Sequence, residues 1–247
     1  MNPAMKSSDL STDAALRIDL IPGTMCDDRL WHKLLPLLPA TITPAFVPLY
    51  KGRTRAQMAA LVAAHSAPAA HLVGFSMGAY LALEHALAHP DRVRSLVLIA
   101  TSGRGLRPEE KERRQRTMAA LEKHAFAGMP MNQLRSFVHP AHLDDASIAG
   151  TIQQMALDLG KATMLAQFVA SMDRPDLMAR LTELRCPVLV VGAEDDQMVG
   201  AAELRAMAPL VPRGSLAILD GSGHMIPLEV PQPLATALVT FYGAFSH

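Results

Sequence analysis

A serine flanked by glycines is the first residue of this chain whose setting suggests chemistry. Ser76 lies in LVGFSMGAY (72–80), between Gly74 and Gly78, after an apolar run and before a helix-like one. Small residues two positions before and after a serine let a strand and a helix approach closely at a sharp turn, and the helix start directs partial positive charge toward it. The pattern predicts a nucleophile; the competing interpretation is a serine that only caps a helix.

A serine hydroxyl needs a base, and the base needs an acid that fixes its tautomer. Among ten histidines, His224 stands out because it follows the apolar run 215–220 on a short loop of glycine and serine. Another apolar run, 187–192, is followed by three carboxylates: Glu194, Asp195 and Asp196. Catalytic groups collect at the carboxyl ends of parallel strands. The order Ser76, carboxylate, His224 therefore favours a catalytic triad.

The elements that would carry these residues alternate along the chain. Six apolar runs are predicted as strands: 15–21, 46–49, 71–75, 93–100, 187–192 and 215–220. Apolar residues at helical spacing predict helices over 55–65 and 79–90. This alternation favours an α/β fold with a mostly parallel central sheet flanked by helices. Continuous rather than alternating apolar runs are typical of strands buried on both faces.

One interval breaks the alternation. Residues 104–182 show no strand pattern, and helix patterns cover 108–127, 131–138, 144–159 and 161–172, with Gly160 typical of a helix end. We therefore predict an α/β core made of 1–103 and 183–247, with 104–182 inserted as an all-helical cap. Two interpretations of the insertion stay open, an additional packing layer and a lid over the site.

Composition restricts the classes of partner. Lys+Arg and Asp+Glu both number 23, so the formal net charge is zero, and there is no electrostatic reason to expect nucleic acid or an anionic membrane. No apolar run reaches the ~18 residues of a membrane span, and the N-terminus lacks the apolar core of a signal peptide. We expect a cytoplasmic protein. Cys26 and Cys186 form no disulfide framework and do not suggest a metal site.

Taken together, the motifs resemble those of the α/β-hydrolase fold superfamily, specifically serine hydrolases with a helical cap, of the esterase and enol-lactonase type. The resemblance extends from about residue 15 to 245. GFSMG resembles the nucleophile elbow, and GHMIPLEVP resembles the histidine segment, in which Glu229 would be structural. The family usually places the acid three residues after the strand-ending glycine, which gives Asp195. Asp196 is the alternative, because DQMVG resembles the sequence that commonly follows the acid.

A fourth segment, LIPGTMCDDRLWHKLLPLL (20–38), is similar to the family's loop that supplies an oxyanion-hole amide. By position, the donor is the backbone N–H of Thr24, with Met25 as its neighbour, and the second donor is the N–H of Met77. Pro22 replaces the histidine that is usual in the family. The resemblance implies acyl transfer to water through an acyl-enzyme, with no cofactor and no metal.

The substrate is constrained least. Methionines and phenylalanines of the cap would suit an apolar acyl pocket, and no paired arginines mark a phosphate or dicarboxylate site. We expect a small-molecule acyl substrate, first of all a small carboxylic ester or lactone. The alternatives are a carbon–carbon bond hydrolase, a cofactor-free perhydrolase and a non-catalytic ligand-binding protein of this fold. Met225 weakens the carbon–carbon alternative, because such enzymes often have tryptophan after the histidine.

Overall fold

The structure, a computed structural model, describes residues 15–244; the ends of the predicted core, 1–14 and 245–247, lie outside them. Its strands are β1 (Leu16–Ile21), β2 (Ile42–Phe46), β3 (Ala70–Phe75), β4 (Val93–Ile99), β5 (Val188–Ala193) and β6 (Gly214–Leu219). They form one sheet in the order β2-β1-β3-β4-β5-β6, and every neighbouring pair is parallel. The prediction of an α/β fold with a mostly parallel sheet is confirmed.

Five strands lie where the apolar runs predict them, and the second does not. The run 46–49 was expected to be a strand, but β2 ends at Phe46 and a 3₁₀ turn occupies Leu49–Lys51. β2 is an edge strand that pairs only with β1, and no residue in it is fully buried. An edge strand also tolerates proline, here Pro44. It therefore lacks the apolar run that marks a central strand.

The helices of the core cover both faces of the sheet. They are α1 (Arg55–His65), α2 (Met77–Ala88), α6 (Ala201–Met207), α7 (Ile226–Glu229) and α8 (Pro231–Gly243). One apolar cluster joins α1, α2 and α6 to one face, and a second joins α8 to the other. The helix predicted over 55–65 is confirmed, and the one predicted over 79–90 begins two residues earlier, at Met77.

Helices also account for the interval 104–182, where no strand occurs. They are α3 (Pro108–Lys123), α4 (Met131–Phe137) and α5 (Thr151–Met172), with a π-helical turn at Ala146–Gly150 and 3₁₀ turns at Pro140–His142 and Met178–Glu183. Gly160 has φ +73° and interrupts α5, a backbone conformation that glycine adopts at little cost. Among residues 15–244, no helix has the length and apolar character that crossing a bilayer requires.

A third apolar cluster attaches the helical interval 104–182, called the cap from here on, to the loop that follows β1. Met25, from that loop, is buried against Ala156, Met164 and Phe168 of α5. Partly buried cap residues surround this contact: Met118, Leu121, Phe126, Met129 and Leu159. The cap is therefore fixed over the loop that was predicted to supply an oxyanion amide.

Candidate active site

Ser76 forms the tip of a sharp turn between the last residue of β3 and the first residue of α2. Its φ of +51° and ψ of −116° lie in a region that non-glycine residues rarely occupy. Such strain costs about 1–3 kcal/mol and persists only where the surroundings enforce it. Here the Ser76 N–H donates to the Ile99 carbonyl at 2.8 Å, and the Ser76 carbonyl accepts from the Tyr80 N–H at 3.0 Å. The backbone thus holds the hydroxyl outward from the sheet edge.

The two flanking glycines permit this turn by letting backbones approach closely. A Cβ on Gly74 would lie 2.4 Å from the Ala79 Cα, and a Cβ on Gly78 would lie 2.3 Å from the Pro22 carbonyl oxygen. Neither contact is possible for a real side chain. The spacing of small residues around the serine therefore has the physical cause that the sequence suggests.

His224 connects the serine to a buried carboxylate. Its Nε2 lies 3.0 Å from the Ser76 Oγ, and its Nδ1 lies 2.8 Å from the Asp196 Oδ2. Both His224 and Asp196 are buried, and Ser76 is half-buried. Because the carboxylate can only accept, Nδ1 carries the hydrogen and Nε2 is left to accept the serine proton. This is the geometry of a nucleophile, its base and an orienting acid.

The structure corrects the preferred acid from Asp195 to Asp196. The Asp195 side chain is 53% exposed and lies 3.6 Å from the His139 Nε2 rather than against His224. The shift arises because β5 continues one residue past Gly192 and the Glu194 N–H still bonds to the Leu219 carbonyl at 3.0 Å. The turn, and with it the inward-pointing carboxylate, comes one position later than the family count implies.

Asp196 is itself fixed by its own turn. Its Oδ1 accepts from the backbone N–H groups of Met198 at 2.7 Å and Val199 at 3.1 Å. The second carboxylate oxygen is thus free for His224, and the side chain cannot rotate without breaking both amide contacts.

Glu229, expected to be structural, forms hydrogen bonds with the loop that carries His224. Its Oε1 accepts from the Met225 N–H at 2.9 Å, and its Oε2 accepts from the Gly223 N–H at 3.2 Å and the His139 N–H at 2.7 Å. These three backbone N–H groups give both oxygens of the buried carboxylate a hydrogen-bond donor. Glu229 ties the residues on both sides of the base to the cap.

The cap and the histidine loop share further main-chain contacts. The His224 N–H donates to the Phe137 carbonyl at 2.7 Å, and His142 Nε2 lies 3.0 Å from the Gly221 carbonyl oxygen. A Cβ on Gly223 would lie 2.8 Å from both the Phe137 carbonyl and the His139 nitrogen. We call residues 137–142 and 221–224 the cap–histidine seam.

The two predicted oxyanion donors lie side by side. Thr24 Oγ1 is 3.5 Å from Met77 Sδ, across the gap between the loop after β1 and the start of α2. Within residues 15–244, neither the Thr24 nor the Met77 backbone N–H has a hydrogen-bond acceptor. Two unpaired amides beside an activated hydroxyl are the donors that a tetrahedral intermediate needs.

A residue that the sequence did not reveal supports this loop from the cap. The Met25 N–H, at a φ of +55°, donates to Gln167 Oε1 at 2.8 Å. Gln167 lies on α5 and is fully buried, and its Nε2 has no hydrogen-bond partner among residues 15–244. Nothing in the spacing of α5 distinguishes this glutamine from a surface residue.

Cys26, in the same loop, takes no nucleophilic part. Burial, with a smaller contribution from Asp27, raises the pKa of its thiol to about 12, so the side chain remains an uncharged thiol at neutral pH. Within residues 15–244, no group of three or more histidine, cysteine, aspartate or glutamate side chains is placed to hold a metal ion.

Comparisons with known proteins identify the family of this chain. A family model described as the alpha/beta hydrolase fold matches residues 38–231. The chain is 28% identical over 179 residues to 2-hydroxy-6-oxononadienedioate/2-hydroxy-6-oxononatrienedioate hydrolase 2 of Pseudomonas putida, covering 69% of this chain and 62% of that protein. Across four such curated relatives, the chain spans between 47% and 62% of their length.

Solved structures show the same architecture. A thermophilic esterase from Thermogutta terrifontis superimposes with a TM-score of 0.78 at 22% identity, covering 94% of this chain and 91% of the esterase. The enol-lactonase from Burkholderia xenovorans LB400 gives 0.77 at 18% identity, covering 93% and 92%. At these identities the likeness shows a shared fold, and the family model covers well over half of the sequence. The chain belongs to the alpha/beta hydrolase fold family.

Proposed function

We propose that this protein is a serine hydrolase that cleaves a small carboxylic ester or lactone through an acyl-enzyme on Ser76. The observation that carries the proposal is the unbroken chain Ser76–His224–Asp196, with distances of 3.0 Å and 2.8 Å. A serine held at a strained turn and hydrogen-bonded to an oriented imidazole is the arrangement that activates a hydroxyl.

In the first half-reaction, the Ser76 Oγ attacks the acyl carbon while its proton passes to His224 Nε2. Asp196 stabilises the imidazolium that forms. The carbonyl oxygen becomes an oxyanion and accepts hydrogen bonds from the Thr24 and Met77 amides; removing one such donor typically costs ~10²–10³ in rate. The imidazolium then gives its proton to the departing alkoxide, and the acyl group stays on Ser76.

In the second half-reaction, water repeats the attack. His224 accepts a proton from water, the hydroxyl oxygen adds to the acyl carbon, and the serine leaves with the proton returned by the imidazolium. An ester yields an acid and an alcohol, and a lactone yields one hydroxy acid. No group beyond those already described is required.

The helical interval 104–182 is proposed as the lid of this site. Support comes from the buried contact of Met25 with Met164 and Phe168, which places an apolar cap surface over the oxyanion loop. An apolar cover that excludes water strengthens the electrostatic interactions beneath it.

Carbon–carbon bond hydrolysis is the second candidate, because relatives such as the Pseudomonas putida protein are named as hydrolases of 2-hydroxy-6-oxononadienedioate. We prefer ester or lactone hydrolysis on chemical grounds. An alkoxide can leave with the single proton that His224 holds. A 2-hydroxy dienoate must first gain a proton on carbon as its enol becomes a ketone, so that the carbon fragment can then leave as an enolate. Met225, the buried residue after the base, has no exchangeable proton for that step.

The test is covalent labelling. The protein is mixed with a fluorophosphonate probe, its intact mass is recorded, and a Ser76→Ala variant is the control. One adduct that disappears in the variant supports an activated Ser76; a panel of esters, lactones and a 2-hydroxy-6-oxo dienoate then assigns the bond. Folded protein that forms no adduct, or an adduct that persists in Ser76→Ala, overturns the proposal.

A further inference from the structure

Three arginines meet between the nucleophile-bearing helix and the cap. Arg55 is the first residue of α1, Arg114 lies on α3, and Arg174 follows the end of α5. We propose that this arginine cluster binds a carboxylate of the substrate, so that the enzyme prefers an ester or lactone that carries a second, anionic group. The inference rests on the proposed hydrolase function and names its substrate class.

The arginine cluster borders the reaction site. A small cavity is lined by Arg55, Arg174 and Ser171 together with Met77 and Tyr80. Met77 is the residue after the nucleophile and carries a proposed oxyanion amide. The Tyr80 N–H bonds to the carbonyl of Ser76 at 3.0 Å, so the cavity begins within one helical turn of the serine.

Positive charge exceeds negative charge at this place. Arg55 forms an ion pair with Glu84. Within residues 15–244, neither Arg114 nor Arg174 has a carboxylate within 4.0 Å. The charges that reach Arg174 from Glu110 and Glu203 act at longer range.

The unpaired guanidiniums are held by other contacts. Arg174 stacks 4.7 Å from the centre of the Tyr80 ring, and its Nε is buried without a hydrogen-bond partner in the described part of the chain. Arg114 lies 5.4 Å from the centre of the Phe168 ring and donates to Ser171 Oγ. Stacking orients a guanidinium while leaving donors available, and the planar fork matches a carboxylate in two parallel hydrogen bonds.

Partial burial makes Arg114 and Arg174 favour an anionic ligand. Loss of hydration, and then the charge of Arg174, lowers the pKa of Arg114 to about 10. Loss of hydration also lowers the pKa of Arg174 below its ordinary value, with a smaller contribution from Arg55. A buried cation without a counter-ion is unfavourable, and a carboxylate that pairs with it removes the imbalance. A substrate with a carboxylate would therefore gain binding free energy from this cluster, and a neutral substrate would not.

The cavity's size restricts the anion. Its volume of about 20 Å³ holds one water-sized group, so a ligand enters by displacing flexible side chains such as Met58 and Arg55. A planar carboxylate requires less displacement than a tetrahedral phosphate. The sequence showed no paired arginines; the fold assembles them from elements far apart in the chain.

The experiment compares 4-nitrophenyl hemiesters of linear dicarboxylic acids with 4-nitrophenyl esters of monocarboxylic acids of equal length. The measured quantity is the preference, the ratio of the two kcat/KM values. Arg174→Met and Arg114→Met are compared with Arg113→Met, which removes the same charge from an exposed neighbour on α3. Arg174→Lys keeps the charge without the planar fork.

We expect wild type to prefer hemiesters by about 10- to 100-fold, mainly through KM, as for a charged hydrogen bond. Arg174→Met and Arg114→Met should remove most of this preference, Arg174→Lys should keep part of it, and Arg113→Met should stay within about twofold of wild type. Absence of a preference in wild type, or equal effects of Arg113→Met and Arg174→Met, overturns the inference.

Fluorophosphonate labelling of every variant separates the two proposals. If Ser76 is labelled and no preference exists, the arginine inference fails and the hydrolase proposal stands. If Ser76 is not labelled, the hydrolase proposal fails. Calorimetric titration with glutarate then tests, independently of catalysis, whether the arginine cluster binds a carboxylate. Glutarate binding that is lost in Arg174→Met supports an anion site, and no binding to wild type overturns it.

Discussion

The end of β3 and the inner surface of α5 border the same reaction site but differ in how complete they are. Around Ser76, the side chains of the proposed triad are hydrogen-bonded to one another, and in the described part of the chain the Thr24 and Met77 amides stay open. On the cap side, Gln167 and Arg174 each have a buried side-chain nitrogen without a partner among residues 15–244. Buried polar groups are normally paired. The comparison indicates that the side chains of the proposed triad are already paired, whereas the cap side keeps donors that the proposed anionic ligand would engage.

The largest expected effect tests the proposed triad. Asp196→Asn should lower kcat by about 10⁴-fold, because an amide in place of the carboxylate favours the wrong tautomer of His224. Asp195→Asn, on the adjacent exposed position, should change kcat by less than about threefold. Steady-state hydrolysis of a short 4-nitrophenyl ester measures both. Similar losses in the two variants would return the acid to Asp195 or divide the role between them.

The next effect is on folding. Gly78→Ala places a methyl group 2.3 Å from the Pro22 carbonyl and 2.5 Å from the Ile21 carbonyl, so backbone must move. We expect a loss of about 3 kcal/mol in the free energy of unfolding. Gly150→Ala on the cap meets only the Ala146 Cβ at 4.0 Å and has helical φ and ψ, so it should gain about 0.5–1 kcal/mol. Urea denaturation compares them, and equal stability would contradict the close approach at the elbow.

A smaller effect concerns the hydrogen bond between Gln167 of the cap and Met25 of the loop after β1. Gln167→Leu leaves the Met25 N–H buried without an acceptor, and an unsatisfied buried donor costs about 1–3 kcal/mol. If that energy is used to hold the oxyanion loop, kcat should fall by about 10- to 100-fold. Gln154→Leu makes the same change on the exposed face of α5. Equal kcat values for the two variants would show that the cap does not position the loop.

The last effect, on the pH dependence of stability, lies at the far end of α2 and is spread over more than two pH units. Burial, then the nearby His89 and Arg92, lower the pKa of His85 from 6.5 to about 4. Between those pH values the unfolded chain binds the proton and the native protein does not, so stability falls as pH decreases from 6.5 to 4, by at most about 1.4 kcal/mol per pH unit. His85→Leu should flatten this dependence in thermal unfolding measured across that range. An unchanged slope would place the acid sensitivity elsewhere.

Sequence reasoning succeeds where one local feature determines structure. Continuous apolar runs located β3, β4 and β5, and two glycines located the elbow at Ser76. It fails where the decisive contact is not local. β2 is an edge strand with a proline, and the carboxylate that contacts His224 comes one residue later than the preferred Asp195 because β5 extends through Ala193.

The cap shows the same limit more strongly. Gln167 lies on α5, whose apolar spacing predicts only a packed face, and Arg174 follows the end of that helix. Their partners come from the loop after β1 and from α2. Arg55 and Arg114 come from two further helices. The cluster forms only when four elements meet, so the spacing of residues within any one segment cannot predict it.

The cap–histidine seam makes the position of His224 depend on contacts with the cap. The main-chain acceptor of His224 is Phe137, and the Glu229 carboxylate joins the histidine loop to His139. If the proposed lid opened along this seam, those contacts would be withdrawn from His224, and Ser76 would be exposed without an aligned proton acceptor. Opening at α3 would leave the seam, and with it the alignment of His224, in place. On the proposed function, the direction of lid opening would therefore determine whether the open protein can react with an ester.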